Sequence, residues 1–303
     1  MSKRILITGG AGFVGHHAVD HLLKNTDWEI VVLDSLNYAG NMNRITDSEV
    51  FTPQRVGFVW HDLRAPISES IHKLIGKLNY CIHFAAESHV DRSLENSVPF
   101  AMSNVVGTAN LLEYIKHFQP DLEKYIGFNT DECFGSAPEG IYYQETDKFH
   151  PSNPYAASKC GQWAFEYSFA HTFKLPIVLV HSMNIMGERQ VPEKFVPKTI
   201  NNILNNQKVI LHGRNRADVA SRCWIHARNV SDGLLFLLDK GQPKETYNIV
   251  GEEKTVLDIA DWICEAIKAE YEWPNDHFIP NDPFEIVFQM PWDDLQVLEF
   301  LML

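Results

Sequence analysis

"RILITGGAGFVGHH", residues 4–17, decides how the rest of the chain is read. A short apolar, β-branched run gives way to glycines at 9, 12 and 15, and an amphipathic stretch follows, which predicts strand, tight turn and helix in succession. Gly9, Gly12 and Gly15 let the backbone turn sharply and admit a pyrophosphate where a Cβ would block it. The opening N–H groups of the helix, at Phe13, Val14 and Gly15, then face the anion with a partial positive charge behind them. A second apolar run, "EIVVLD" (29–34), ends on Asp34, 19 residues beyond Gly15. A carboxylate there accepts hydrogen bonds from an adenosine ribose, so the pattern predicts a dinucleotide site. The same carboxylate disfavours a 2′-phosphate, and "DSLNYAGN" (34–41) holds no arginine to offset it, so the expected cofactor is NAD.

Working outward, apolar strand candidates alternate with helical stretches. The strands are 4–8, 29–34, 56–62, 80–85, 124–130 and 176–182, and the helices run near 13–25, 68–77, 97–117 and 155–174. That alternation is the signature of a parallel sheet covered on both faces, an α/β chain of the Rossmann-type doubly wound class. Residues 1–182 read as the NAD-binding domain. From 183 to 303 the alternation loosens into helices near 193–205, 229–239 and 255–269 with short strands at 208–213 and 246–251, read as a smaller, mainly substrate-binding lobe, interleaved or not with the first. The helix at 97–117 carries Phe100, Val105, Val106, Leu111, Leu112 and Ile115, more apolar positions than one stripe needs. Its second face packs on a partner subunit or lies deep in the monomer.

Composition narrows the partners. Net charge is −13, which repels nucleic acid and anionic membrane. The longest apolar runs, such as "GLLFLL" (233–238), are far shorter than the roughly 20 residues of a membrane span, and the first strand begins almost at the amino terminus, so a cytoplasmic location is expected. Five cysteines without a C-x-x-C pair suggest reduced thiols, and none of the 14 histidines sits in ligand spacing, so no metal is expected.

Two further motifs carry chemistry. "NPYAASKCG" (153–161) sets Tyr155 and Lys159 four residues apart on one helix face. An ammonium and a nicotinamide cation beside the phenol are expected to lower its pKa and make it a proton acceptor. "NTDE" (129–132) closes the fifth strand with Thr130, Asp131 and Glu132. Adjacent carboxylates in a closed site split their pKa values into an acid and a base, although Thr or Asp followed by Glu is also how a helix is capped.

With "AAESHVDRS" (85–93), "NVVGT" (104–108), "SLNYAGN" (35–41), "VPEKFVPK" (191–198) and "SRCWIH" (221–226), the chain resembles the extended short-chain dehydrogenase/reductase family. Within it, residues 3–268 are most similar to the nucleoside-diphosphate-sugar 4,6-dehydratases. The resemblance implies a homodimer acting on a dTDP- or UDP-linked sugar with NAD. In it Tyr155 and Thr130 serve oxidation at C4, Glu132 removes the C5 proton, and Asp131 protonates the departing C6 hydroxyl. It also implies cofactor contacts from Ala85, Ala86 and Leu63, and from Asp62, which reads equally well as a helix cap. Ser88, His89 and Arg92 are expected at the site's rim, and Asn184, Lys194 and Arg222 against the substrate. Related readings are a UDP-amino-sugar 5,6-dehydratase, a C4 epimerase and a silent NAD-binding protein. Cys133 and Phe134 replace the aliphatic residue and tyrosine expected after the acids, which predicts an altered pocket wall. Beyond Lys268 acids accumulate and the expected arginine-containing segment is missing, a divergent cap or a truncation.

Overall fold

In the computed structural model, residues 2–267 are described except for 139, 206, 216 and 217, together with strand segments at 270–272 and 284–289. The tail questioned above lies mostly outside the described residues. Two compact units emerge. The first comprises Met1–Met183 and Ala227–Ile249, and the second Asn184–His226 and Val250–Leu303.

The first unit is built on seven parallel strands: β1 (Arg4–Thr8), β2 (Glu29–Asp34), β3 (Val56–Trp60), β4 (Tyr80–His83), β5 (Lys124–Thr130), β6 (Ile177–Ser182) and β7 (Thr246–Ile249). They are ordered β7-β6-β5-β4-β1-β2-β3, so strand order reverses between β1 and β4. Ligands of open parallel sheets bind at the carboxyl ends beside such a reversal, where the glycine turn stands. The helices that matter for the site are α1 (Phe13–Asn25), α2 (Glu69–Ile75), α3 (Val90–Glu95), α4 (Gly107–Phe118), α5 (Pro154–Thr172) and α6 (Ala227–Lys240). On one face of the sheet, Leu6, Leu33, Cys81, Tyr125 and Leu179 pack with Leu111 and Ile115 of α4 and Phe169 of α5. Burial of this kind is the main stabilising term, about 25 cal/mol for each Å² of apolar surface removed from water.

Two features differ from the sequence expectation. The helix near 229–239 and the run at 246–251 are expected in the smaller lobe, but Ala227–Ile249 belongs to the first unit, and Thr246–Ile249 pairs in register with Leu179–Ser182 of β6 as an edge strand of the main sheet. The predicted single helix at 97–117 is a turn at Val98–Phe100, a π-helical segment at Ala101–Val106 and then α4. One extra residue per turn there redirects Asn104 into the interior, where it is fully buried.

The second unit holds a three-stranded sheet in which Ser221–His226 pairs antiparallel with Glu252–Thr255 and parallel with Asn184–Met186. Helices Phe195–Leu204 and Val256–Ala266 lie on its apolar cluster of Ile203, Trp224, Leu257 and Ile263. No helix among the described residues is long and apolar enough to cross a membrane.

Candidate active site

The glycine turn is shaped by contacts that exclude side chains. Gly9 adopts φ +68°, and a Cβ there would lie 2.7 Å from the backbone nitrogen of Ala85 at the end of β4. A Cβ on Gly15 would lie 2.2 Å from the Gly9 carbonyl oxygen, so α1 is seated directly on the turn. Gly12 caps α1 with extended backbone and no side-chain hydrogen bond, which leaves the helix amino terminus, with Phe13 and Val14, as a site for an anion. Asp34, at the carboxyl end of β2, accepts from the N–H groups of Ala11 (3.0 Å) and Leu36 (2.8 Å) and is thereby tied to the turn. Burial raises its pKa, and these amides and Arg44 oppose the rise. Arg44 lies just past the arginine-free segment and donates to the carbonyls of Ala11 (3.1 Å) and Ala39. A backbone cleared of Cβ atoms, an uncapped helix start and a carboxylate at the second strand end are what a dinucleotide requires, so these residues fit NAD.

At the end of β3 the helix-cap alternative for Asp62 does not materialise. Asp62 instead closes a turn, its Oδ1 accepting from the Arg64 N–H at 3.0 Å, and its carboxylate is paired with the Arg64 guanidinium. That pairing lowers its pKa. The Leu63 side chain is buried in the core cluster, and its carbonyl accepts from Asn110 at 2.7 Å.

The proton-transfer groups converge from β5 and α5. Thr130, the last residue of β5, accepts from the Glu132 N–H at 3.3 Å and so caps a one-turn 3₁₀ helix, Asp131–Phe134. Capping and chemistry thus use the same three residues, and the two readings of "TDE" are compatible. The Thr130 hydroxyl donates to Asp131 Oδ1 (3.2 Å), and its presence beside the Tyr155 phenol favours the phenolate. Asn153 secures the other side: its Oδ1 accepts from the Ala156 N–H (2.8 Å), starting α5 with Pro154 at the first position, while its Nδ2 donates to Glu132 Oε2 (3.0 Å). Part of the Tyr155 ring is exposed, but its hydroxyl end is enclosed. Burial first and the Glu132 carboxylate second hold the phenol above its usual range, with the Thr130 hydroxyl opposing. The lowered phenol expected from the ammonium is therefore not reached in the free protein. Lys159 Nζ is engaged with the Phe128 carbonyl (2.7 Å) and the Gln162 amide, and burial lowers its own pKa to about 8.

The loop after β4 reaches the same place. Ala85 is partly buried and Ala86 and Ser88 are exposed. His89 caps α3 by accepting from the Arg92 N–H at 3.4 Å, and the Arg92 guanidinium lies 4.0 Å over the Tyr38 ring. Ser93, absent from the sequence expectation, accepts from the Tyr155 N–H at 3.2 Å. Asn104, also missed, clamps this loop to α5: it accepts from the Glu87 N–H (2.8 Å) and donates to the Glu87 carbonyl (2.9 Å) and to Ser158 (2.8 Å). Its only signal in the sequence was membership of "NVVGT". Cys133 and Phe134 close the 3₁₀ turn that begins at Asp131. Both are buried, Phe134 among Tyr143, Phe149 and His181.

Asn184, Lys194 and Arg222 belong to the second unit. Asn184 opens the strand Asn184–Met186, and Lys194 precedes helix Phe195–Leu204. Arg222 is exposed on Ser221–His226 and donates to the Ser221 carbonyl at 2.7 Å. Among the described residues, no three His, Cys, Asp or Glu side chains cluster as a metal would need.

Comparison with known proteins places this geometry. Residues 6–282 match the family model described as GDP-mannose 4,6 dehydratase. The mouse dTDP-D-glucose 4,6-dehydratase is 33% identical over 269 residues, 88% of this chain and 74% of the mouse protein. The crystal structure of dTDP-glucose 4,6-dehydratase from Streptomyces venezuelae, solved with NAD bound, superposes with a TM-score of 0.79 at 32% identity, covering 88% of this chain and 82% of that one. A UDP-glucose 4-epimerase from Thermus thermophilus, also with NAD, gives a TM-score of 0.77 at 28% identity, covering 87% and 83%.

Proposed function

The chain belongs to the GDP-mannose 4,6 dehydratase family, and from that premise we propose that it is an NAD-dependent hydro-lyase acting on a nucleoside-diphosphate sugar. The substrate is dTDP-glucose or UDP-glucose, and the product is the 4-keto-6-deoxy sugar. The observation that carries this reading is that both acids are fixed beside the base: the Thr130 hydroxyl at the end of β5 donates to Asp131, and Asn153 joins Glu132 to the start of the helix that bears Tyr155.

When bound, NAD would supply a hydride acceptor for C4 and, once reduced, the hydride returned to C6, and Gly9, Gly12, Phe13, Val14, Gly15, Asp34, Asp62, Leu63, Ala85 and Ala86 would hold it. Tyr155 takes the C4 hydroxyl proton, with Thr130 orienting the phenol and Lys159 supplying positive charge. The resulting ketone acidifies the C5 hydrogen, which Glu132 removes. Asp131 protonates the C6 oxygen, which leaves as water. One acid must be protonated while its neighbour is ionised, and mutual repulsion at this spacing separates their pKa values. Ser88, His89 and Arg92 line the rim, and Asn184, Lys194 and Arg222 meet the nucleotide and its phosphates. An epimerase needs the Tyr/Lys pair but has no use for the Asp-Glu step, which favours elimination over epimerisation.

Val98, Met102 and Val106 leave 64%, 40% and 37% of their surface exposed along one segment, which supports a homodimer formed there. The five free thiols fit a reducing, cytoplasmic setting. Incubating the protein and NAD with dTDP-glucose, UDP-glucose and UDP-GlcNAc and following product mass tests the function. Loss of one water from either glucose nucleotide is expected, whereas unchanged mass with inverted C4 would establish an epimerase. Sedimentation of wild type against Met102→Glu tests the dimer.

A further inference from the structure

Two turns beyond Lys159, α5 carries a carboxylate that the chemistry above does not use. Glu166 is fully buried, and three donors converge on it: Tyr125 Oη on Oε1 (2.9 Å), Gln162 Nε2 on Oε1 (3.1 Å) and Asn129 Nδ2 on Oε2 (2.9 Å). β5 is cleared to admit it, since a Cβ on Gly127 would lie 2.4 Å from the Glu166 carboxyl carbon. A lone buried carboxylate is costly, so such a site needs a compensating cation.

The network leads to one. Residues 159, 162 and 166 share a helix face at spacings of three and four. Gln162 bridges them: its Oε1 accepts from Lys159 Nζ, and its Nε2 donates to Glu166 and, at 3.3 Å, to the Phe128 carbonyl. An ammonium can only donate and a carboxylate can only accept, so this amide orientation is the one that links a charged lysine to an ionised glutamate. The groups facing Lys159 from other elements do not compete as anions. His83 of β4 and His181 of β6 are kept neutral by burial, at about 3 and about 4. The Tyr125 phenol of β5 is held protonated by burial, and Cys133 of the 3₁₀ turn is held as a thiol by the Cys160 thiol beside it and by burial. On α5 itself, Tyr155 and Cys160 flank the lysine.

We propose that Glu166 is a positioning residue: acting through Gln162, its carboxylate keeps Lys159 an ammonium within a buried site and so sustains the positive charge beside Tyr155. This rests on the reading of Lys159 as partner of the catalytic phenol. In the holoenzyme labelled with [13Cε]lysine, the Lys159 signal, assigned by its loss in Lys159→Arg, titrates near pH 8 in wild type. In Glu166→Gln its midpoint falls by about one pH unit, roughly a tenfold rise in acid dissociation, because the stabilising anion is gone while burial persists. The alkaline limb of kcat/KM for the nucleotide sugar moves down with it, so activity is lost more at pH 8.5 than at pH 6.5. Gln162→Met, which keeps the Tyr125 and Asn129 donors on Glu166, shifts both readouts the same way and serves if Glu166→Gln does not fold. A folded variant whose Lys159 titrates at the wild-type midpoint overturns the proposal. A shifted midpoint in a protein that never turns over nucleotide sugar leaves the Glu166 assignment standing and removes the proposed function instead.

Discussion

Asn153 performs two tasks with two ends of one amide, and substitution can separate them. Asn153→Ala removes both. Loss of an N-cap costs about 1 kcal/mol, and loss of a hydrogen bond to a charged carboxylate roughly as much again when the group is half-exposed. The expected total of about 2 kcal/mol lowers Tm by roughly 3 °C for a protein of this size. Asn153→Asp keeps the cap, because Asp serves that position as well as Asn. It replaces the Nδ2–H that meets Glu132 Oε2 at 3.0 Å with a second carboxylate. Two carboxylates about 4 Å apart at an effective dielectric near 20 repel by ~4 kcal/mol, and partial exposure screens roughly half of that. The remaining ~2 kcal/mol weighs against a second carboxylate at Glu132, the form a base at that position needs. Asn153→Asp should therefore melt at least as low as Asn153→Ala at neutral pH although it keeps the cap, and lose about tenfold in dehydration. In single turnover, C4 oxidation should be retained and water loss delayed, as followed by cofactor absorbance and product mass. Wild-type dehydration by Asn153→Asp, or melting at the wild-type temperature at neutral pH, would refute the contact with Glu132 as the reason.

Other expectations follow from the same geometry. Glu132→Gln keeps an acceptor for Asn153 but not a base, so the enzyme should oxidise C4 and stall with its C5 proton in place; ordinary turnover would take Glu132 out of the mechanism. Gly127→Ala drives a methyl group to 2.4 Å from the Glu166 carboxyl carbon and should cost more than 3 kcal/mol, read in urea unfolding; a loss under 1 kcal/mol would show that the strand yields. Stability should fall on acidification, because burial leads the causes holding His16 and His83 at about 3 and His181 at about 4, all below the reference 6.5. The unfolded chain then binds more protons than the native one as pH drops through 6.5, and by pH 5.5 the three contribute a loss of about 4 kcal/mol, reduced by Asp34 and Glu166, whose carboxyls burial holds high. Equal melting temperatures at pH 7.5 and 5.5 would contradict this.

The strands β1, β2 and β5 and the helix α1 were legible to the residue, because β-branched runs, the glycine turn and 3.6-residue periodicity are local signals. Thr130, Glu132, Tyr155 and Lys159 were legible as a cluster because each sits at a strand end or on one helix face. What escaped was non-local. A π-helical segment preserves the apolar look of a continuous helix while turning Asn104 inward. The run at 246–249 carries no mark of which strand it pairs with. Nothing local marks the buried Gln162 and Glu166 as interior, since the Gly127 that makes room for Glu166 lies on a strand far away in sequence. Phe134 was read toward a pocket because it follows the two acids in sequence, whereas its neighbours in space are aromatic rings.

The return of the chain to pair β7 against β6 bears on modularity. A gene fragment ending at Met183 would encode every proposed proton-transfer residue and the whole glycine turn, yet it would omit α6 and the strand that covers the outer backbone of β6. That unsealed edge offers unpaired N–H and C=O groups to any passing strand, a template for aggregation. An autonomous cofactor-binding module would have to be recombined, with 227–249 spliced behind 183 through a short designed linker. Exchanging the second unit likewise calls for replacing two separated inserts, 184–226 and the segment after 249, and not a single carboxyl-terminal block.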